Sequence, residues 1–461
     1  MKTFRDPVHN LIAFGPRDRL IVDLINAREF QRLRRIRQLG LSNIAYPGAE
    51  HSRFVHSLGV THLMRRILDA GLEQSGFGEN LEEYREVALA AALLHDVGHG
   101  PFSHALEAVT GVRHELFTTA AIRASGTEVH QVLEGFETGM ADRVAQVIER
   151  RFEPSRAVVK LLSSQLDMDR TDYLLRDAMM TGAGYGSFDV EWLLHVLRLG
   201  EVDGDLEVGL DLEKGRSIAE DYIMSRYYMY LHVYFHRTTR AAEVMIEKLL
   251  ARAKEVEAYL PGFTALNTLL SGGFEADEAG VATFMELDDG MIWTAMHLWT
   301  RDPDPVLSDL SRRLLNRQIF RGVDVADRDK ETALRERLLR RAEREGLPGE
   351  YYVITDEAKS SAYKDDYVAP DVSVAGREPS NDIAGDLVAG HAASLSPREP
   401  ASVGNVGGDA PGQPTERVYL FDAAGRPHEL SQVSFLVDAV RHKQLRVRRI
   451  LCPDEWLDDR K

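Results

Sequence analysis

Residues 91–107, AALLHDVGHGPFSHALE, limit what this chain can fold into more than any other stretch. Ala91, Ala92, Leu93 and Leu94 read as the end of a helix packed in a core, and His95 and Asp96 follow directly. A charged, ligand-competent pair at the end of a buried helix needs a partner. A metal ion answers that need. Residues 98–101 break the helix, and Pro101 suits the first turn of a new one. On that second helix His104 and Glu107 stand three apart. A carboxylate then lies beside an imidazole and keeps it available as an acid near neutral pH. His99 sits in the turn, within reach of a phosphate.

Residues 30–40, FQRLRRIRQLG, place Phe30, Leu33, Ile36 and Leu39 at helical spacing, with Gly40 suited to a C-cap. Arg32, Arg34, Arg35 and Arg37 read as a solvated face of that helix. A turn at Pro47-Gly48 leads to a helix running from about Ser52 through Leu68, with His51, Arg53 and His56 at its start. The planar fork of an arginine there suits phosphate. Residues 115–160 read as amphipathic helices. In residues 161–189, LLSSQLDMDRTDYLLRDAMMTGAGYGSFD, the side chains of Asp169, Tyr173 and Asp177 are four apart and share a helix face. Arg170 and Arg176 flank them. Residues 219–250 read as one long helix on which Arg226, Tyr230 and Tyr234 recur every four residues. An aromatic stripe of this kind is usually core; with arginines on the same face it lines a pocket as readily.

The texture changes near Glu350. Residues 351–355 read as a strand. Residues 365–415, rich in Gly, Pro, Ser, Ala and Asp without periodicity, read as a mobile insertion. A strand at 417–421, a turn at Ala424-Gly425, a short helix from about Leu430 and a last strand at 446–451 follow. The expected fold is mainly α: a helical domain over 1–350 and a small C-terminal α+β part over 351–461.

Net charge is −17 at pH 7, which argues against a surface that coats nucleic acid. The single cysteine, Cys452, excludes intrachain disulfides and a zinc–thiolate cage. There is no signal-peptide core at the N-terminus and no apolar run of membrane-spanning length. A soluble, cytoplasmic protein without a membrane partner is expected.

His56, His95, Asp96 and Asp169 come from three expected helices. Two imidazoles and two carboxylates suit a divalent cation (manganese, iron, zinc, nickel or magnesium) with positions left open. Such an ion polarises a phosphoryl oxygen, and nearby arginines neutralise phosphate charge. Hydrolysis of a phosphate ester or anhydride is the simplest chemistry this supports.

FQRLRRIRQLG, HSRFVHSLGV, LLHDVGHGPFSH and LDMDRTDYLLRD, in that order, resemble the HD-domain metal-dependent phosphohydrolases, and within them the dNTP triphosphohydrolase (dGTPase-like) branch. The likeness runs from about Phe4 to about Glu350. It implies that His56, His95, Asp96 and Asp169 hold the metal. It implies that Arg53, Arg170, Tyr173 and Arg226 bind a triphosphate. Gln38, Leu39, Asp177, Tyr230 and Tyr234 would surround sugar and base, with Gln38 and Asp177 reading the 3′-hydroxyl. His104 would protonate the leaving oxygen, supported by Glu107 and His114, with His99 on the phosphates. The reaction implied is a dNTP going to deoxynucleoside plus inorganic triphosphate. The resemblance further implies a homo-oligomer, dimer to hexamer, and an activating nucleotide at a site including Gln31, Arg34, Arg317 and Arg321. That branch includes a vertebrate dNTPase; Asn26 stands where that enzyme has an aspartate that recognises guanine, and Glu107 replaces another of its aspartates. Two other readings stand beside this one: a phosphohydrolase acting on nucleoside monophosphates or another phosphoester, and a nucleotide-binding regulatory protein with residual activity.

Overall fold

The computed structural model describes residues 1–74, 81–325, 327–363, 417–441 and 443–457, without the side chains of residues 70–74 and of His104. The segment 365–415, expected as an insertion, lies outside the described residues. The fold is mainly α-helical, as expected. Seven helices carry the site: α1 (Arg53–Gln74), α2 (Arg85–Leu94), α3 (His104–Thr110), α4 (His114–Arg123), α5 (Met168–Thr181), α6 (Arg216–Met229) and α7 (Arg237–Glu255).

Every residue of α2 from Val87 to Leu94 is buried, as befits a helix apolar on all sides. It lies in one hydrophobic cluster, with Phe54, Leu58 and Leu174. Val97, Phe102, Ala105 and Leu106, just beyond it, belong to a second cluster built on α7. The 91–107 stretch therefore crosses from one core to the other, and His95 and Asp96 fall at the seam. Helix α5 starts where the Asp167 side chain accepts the Arg170 amide and ends at Gly182, whose φ of 71° is the left-handed conformation of a C-cap.

Among the described residues nine short strands form three sheets. β1 (Lys2–Asp6) and β2 (Asn10–Phe14) make a hairpin. β3 (Leu197–Val202) and β4 (Asp205–Asp211) make another, extended by β7 (Tyr419–Phe421), parallel to β4, and β8 (Pro427–Glu429). β9 (Gln444–Cys452) lies between β5 (Arg321–Asp324) and β6 (Ile354–Ser361), antiparallel to both. Strands before and after residue 350 share two of the three sheets.

Local expectations change in three places. The helix expected through Gly40 stops early: an α-helix spans Arg28–Arg32, a 3₁₀ turn Leu33–Arg35, and Arg37 then bridges Ser52 in antiparallel fashion. Backbone bonds to the 51–53 segment win over further helix: Gln38 N donates to His51 O (3.0 Å) and Arg53 N to Ile36 O (2.9 Å). Arg32 is not on a solvated face but fully buried, its Nε donating to Leu287 O at 2.7 Å. The long 219–250 helix is broken by a π-turn over Tyr230–Tyr234, closed by Phe235 N on Tyr230 O at 2.9 Å. Residues Gly349–Tyr352 form a helical turn, so the strand expected at 351 begins at Ile354 instead.

Candidate active site

The first turn of α1 supplies His56, the residues after α2 supply His95 and Asp96, and the first turn of α5 supplies Asp169. His56 Nε2 lies 3.0 Å from Asp169 Oδ1 and 3.9 Å from Asp96 Oδ2. His95 Nε2 lies 3.5 Å from Asp96 Oδ1 and 3.6 Å from Asp169 Oδ1. His95 Nδ1 donates to Ala92 O at 2.9 Å, which leaves the lone pair on Nε2. That Nε2 is buried and makes no hydrogen bond. A buried nitrogen lone pair facing two carboxylates, with a second imidazole beside them, fits a divalent cation. Protons take its part otherwise. Burial opposes charge on His56, yet its hydrogen bonds to Asp169 and Asp172 outweigh this and raise it to about 10. Burial likewise pushes against the Asp169 charge, and His56 and His95 hold that carboxyl well below its usual range.

Behind His56 stands Asp172, which the sequence reading did not single out. Its Oδ2 meets His56 Nδ1 at 2.8 Å and its Oδ1 meets His9 Nε2 at 2.6 Å. Arg176 reaches it with Nε at 2.8 Å and joins it to Asp6, in the β1–β2 hairpin, at 2.8 Å. A carboxylate on the far nitrogen of a ligating imidazole fixes its tautomer and orientation. The turn of α1 passing over Asp172 leaves no room for a side chain: a Cβ on Gly59 would lie 1.8 Å from Asp172 Oδ1. The signal available in sequence was spacing, since Asp172 follows Asp169 by three on one helix and Gly59 follows His56 by three on another.

On the other side of Asp96, its Oδ1 lies 3.2 Å from His99 Nε2, the His99 ring stacks on His114 at 3.6 Å, and His114 Nδ1 meets Glu107 Oε1 at 2.6 Å. The expected catalytic residues His99, Glu107 and His114 thus form a chain leading away from Asp96. Burial, with Arg53 and His114 adding positive charge, drives His99 well below the usual imidazole range. His104 opens α3; its side chain lies outside the described residues. Arg53 donates to Asp96 Oδ2 at 2.6 Å and to Ser103 Oγ at 2.9 Å. Phe102 and Ser103, with φ of 53° and 41°, both occupy left-handed backbone without being glycine. Such strain persists only where the surroundings impose it.

A second group of side chains continues along α5. Asp177 Oδ1 meets His51 Nε2 at 2.8 Å and its Oδ2 accepts from Tyr234 Oη at 2.8 Å. Tyr173 and Tyr230 pack on Tyr234, with ring centroids 6.2 Å and 5.0 Å away. Gln38 Oε1 is buried without a hydrogen bond, and Leu39 is half-buried beside it. Arg226 sits 5.7 Å over the Tyr230 ring and is 2% exposed, with Nε and Nη1 making no hydrogen bond. Among the described residues no carboxylate lies within ion-pair distance of it. Arg170 instead turns back to Asp167 and the Ser164 carbonyl.

The residues expected at an effector site have separate anchors. Asn26 accepts from Lys2 Nζ at 2.5 Å. Arg34 donates to Gln31 Oε1 at 2.9 Å and lies 3.6 Å over the Phe54 ring. Arg317 donates to the Ile44 carbonyl at 3.1 Å and Arg321 pairs with Asp454 at 3.0 Å.

The HD-domain family model matches residues 53–177, a range that includes His56, His95, Asp96 and Asp169. The chain is 44% identical over 364 residues, 78% of its length and 81% of the relative's, to the uncharacterized protein YwfO of Bacillus subtilis. It is 28% identical over 288 residues, 55% of this chain and 45% of the relative, to the deoxynucleoside triphosphate triphosphohydrolase SAMHD1 of Gallus gallus. The crystal structure of a phosphohydrolase from Bacteroides thetaiotaomicron matches with a TM-score of 0.74 at 27% identity, covering 98% of this chain and 99% of that one. With its ligand geometry, its match to the domain and a relative this similar along most of its length, the chain belongs to the HD-domain phosphohydrolases.

Proposed function

We propose that this protein is a metal-dependent deoxynucleoside triphosphate triphosphohydrolase, releasing a deoxynucleoside and inorganic triphosphate. The observation that carries the reading is Arg226: a buried guanidinium with two unbonded nitrogens and, among the described residues, no carboxylate partner. Burying such a cation is costly unless an anion arrives. A phosphate chain is an anion of the right kind. Arg53, Arg170 and Tyr173 join Arg226 on the phosphates. Asp177, held between His51 and Tyr234, and Gln38 read the 3′-hydroxyl, while Leu39, Tyr230 and Tyr234 bound sugar and base. His56, His95, Asp96 and Asp169 hold a divalent metal (manganese, iron, zinc, nickel or magnesium) that supplies a Lewis acid for the phosphoryl group. His104 gives a proton to the leaving 5′-oxygen, with Glu107, His114 and His99 around it. In the same reading the protein is a cytoplasmic homo-oligomer, with an activating nucleotide at Asn26, Gln31, Arg34, Arg317 and Arg321. No described helix is long and apolar enough to cross a membrane.

Incubation with each dNTP and each metal, followed by chromatography, tests the reading. Deoxynucleoside and triphosphate in equal amounts are expected. Monophosphate with pyrophosphate, or no turnover with any of the metals, overturns it.

A smaller phosphoester is favoured by one observation. Arg170 is engaged by Asp167 and Ser164, and Arg53 by Asp96; of these three arginines Arg226 is the one with no carboxylate partner among the described residues, and a smaller anion needs fewer cations. Monophosphate turnover that survives Arg226→Ala would select that substrate class.

A further inference from the structure

The helix Asp289–Trp299 opens with two aspartates of different use. Asp288 is the N-cap, its side chain accepting the Met291 amide at 3.1 Å. That leaves the Asp289 carboxylate free to reach out of its own helix. It is 5% exposed. Oδ2 accepts the Arg37 amide at 2.9 Å and Oδ1 accepts the Phe102 amide at 3.2 Å. These two amides belong to two separate segments of the site, its two walls, each of which is also bonded to Arg53: Ile36 O accepts its amide and Ser103 Oγ its side chain.

On one wall, Phe102 and Ser103 hold the strained left-handed backbone, and Ser103 Oγ accepts Arg53, which in turn reaches Asp96. On the other, Arg37 bridges Ser52, and Gln38 N is bonded to the carbonyl of His51, the partner of Asp177. Arg32 ties the same neighbourhood in the opposite sense, donating to the Leu287 carbonyl at 2.7 Å and the Val97 carbonyl at 3.3 Å. Trp293, one turn further along the helix, packs edge-on against Phe102 at 5.8 Å.

We infer that Asp289 is a positioning residue: its carboxylate clamps the Phe102 turn to the Arg37 segment and sets the spacing between the two walls of the active site. The metal ligands do not touch it. Nor does its own helix need it, since Asp288 caps. A buried acid with no cation bonded to its oxygens is otherwise a liability. Burial outweighs the two amide bonds and raises Asp289 to about 6, with Arg37 lowering it and Asp288 raising it. Arg32 also faces it, and Arg35 takes the Asp288 carboxylate at 2.5 Å. The clamp is therefore half charged near pH 6 and gains its full charge only at higher pH. The names of what each wall binds rest on the proposed function; the clamp itself does not.

Metal-loaded full-length protein, Asp289→Ala and Asp289→Asn are compared by amide exchange and by kinetics. The alanine variant removes both acceptors. The asparagine variant keeps the shape and one acceptor, which guards against loss of folding. In Asp289→Ala, peptides covering 35–40 and 97–103 are expected to exchange at least about tenfold faster, the factor that losing one charge-assisted hydrogen bond corresponds to. Peptides from α7 stay unchanged, and Asp289→Asn gives a smaller effect. In both variants kcat for a phosphate ester falls at least about tenfold at unchanged metal content, and the acid limb of the rate profile near pH 6 flattens. Unchanged exchange in both peptides overturns the clamp, as does exchange raised everywhere. Raised exchange at 35–40 and 97–103 with unchanged kcat overturns the positioning role. If the wild type turns over no dNTP, the proposed function fails while the exchange result still decides the clamp.

Discussion

On the proposed function, Arg226 concentrates the conflict between stability and function in one side chain. It is buried with two unbonded nitrogens and lies over the face of the Tyr230 ring. Arg226→Met keeps the length and removes the charge. We expect it to raise unfolding stability by about 1–3 kcal/mol while turnover falls below one part in a hundred; urea denaturation and a phosphate-release assay check the two halves. His62 is a second residue with a signed expectation. Burial first, then positive charge from His9, Arg65 and Arg66, pulls it down to about 4. Between that value and its ordinary 6.5 the unfolded chain binds more protons than the folded one. The stabilisation is therefore complete above pH 6.5 and is lost as pH falls toward 4, by at most about 3 kcal/mol. His62→Gln should remove that part of the acid slope, measured by denaturant titrations at pH 7 and pH 4.5. At this scale the sequence was most legible where one residue type repeats a known spacing. His56, His95, Asp96 and Asp169 stood out because imidazoles and carboxylates on apolar helices call for a reason. Asp172, His9 and Asp289 did not, because an acid gains its role from what lies across the fold: His9 is 163 residues from Asp172 and Arg37 is 252 from Asp289.

Among elements, helix α5 was legible because its chemistry follows its own period: Asp169, Tyr173 and Asp177 lie four apart, and the structure sets Asp169 beside His56, Tyr173 against the Tyr234 ring and Asp177 on the Tyr234 hydroxyl. The segment after Phe30 was not, because its apolar spacing satisfies a helix while its backbone is claimed by residues 51–53 and by Asp289. The π-turn was hidden for a different reason. One extra residue in a turn leaves a four-residue repeat of Arg226, Tyr230 and Tyr234 looking helical. The β3–β4 hairpin did carry a signal that went unread, the Asp203-Gly204 pair. Both residues have positive φ, 54° and 84°, which is what a two-residue hairpin turn requires. Gly204→Val should destabilise by about 1–2 kcal/mol without changing metal content; thermal unfolding together with metal analysis separates these.

For the whole molecule, the sheets decide how the chain divides. Composition marks a boundary near Glu350, yet β7 completes the sheet of β4, and β9 completes the sheet of β5. Leu420, Leu430, Ile450 and Leu451, all from the far side of that boundary, are fully buried. A chain ending at residue 350 should therefore aggregate or unfold cooperatively at lower temperature than the full chain, read by light scattering and calorimetry. A monomeric 1–350 protein with the full chain's melting temperature would show two independent units. Mainly helical architecture was legible because long amphipathic runs dominate; strand pairing across 200 residues was not, because short strands such as Tyr419–Phe421 carry little pattern of their own.

The bond from His9 to Asp172 also has a meaning in time. A ribosome adding about 5–20 residues per second needs on the order of 10–30 s to make the chain between them. Through that interval the hairpin carrying His9 and Asp6 has neither the carboxylate nor the Arg176 guanidinium it will be held by. His56, which bonds both Asp169 and Asp172, waits for the same helix. On the proposed function, metal capture at the full site is thus a late event in synthesis, and a chain released early lacks the Asp169 side of that site.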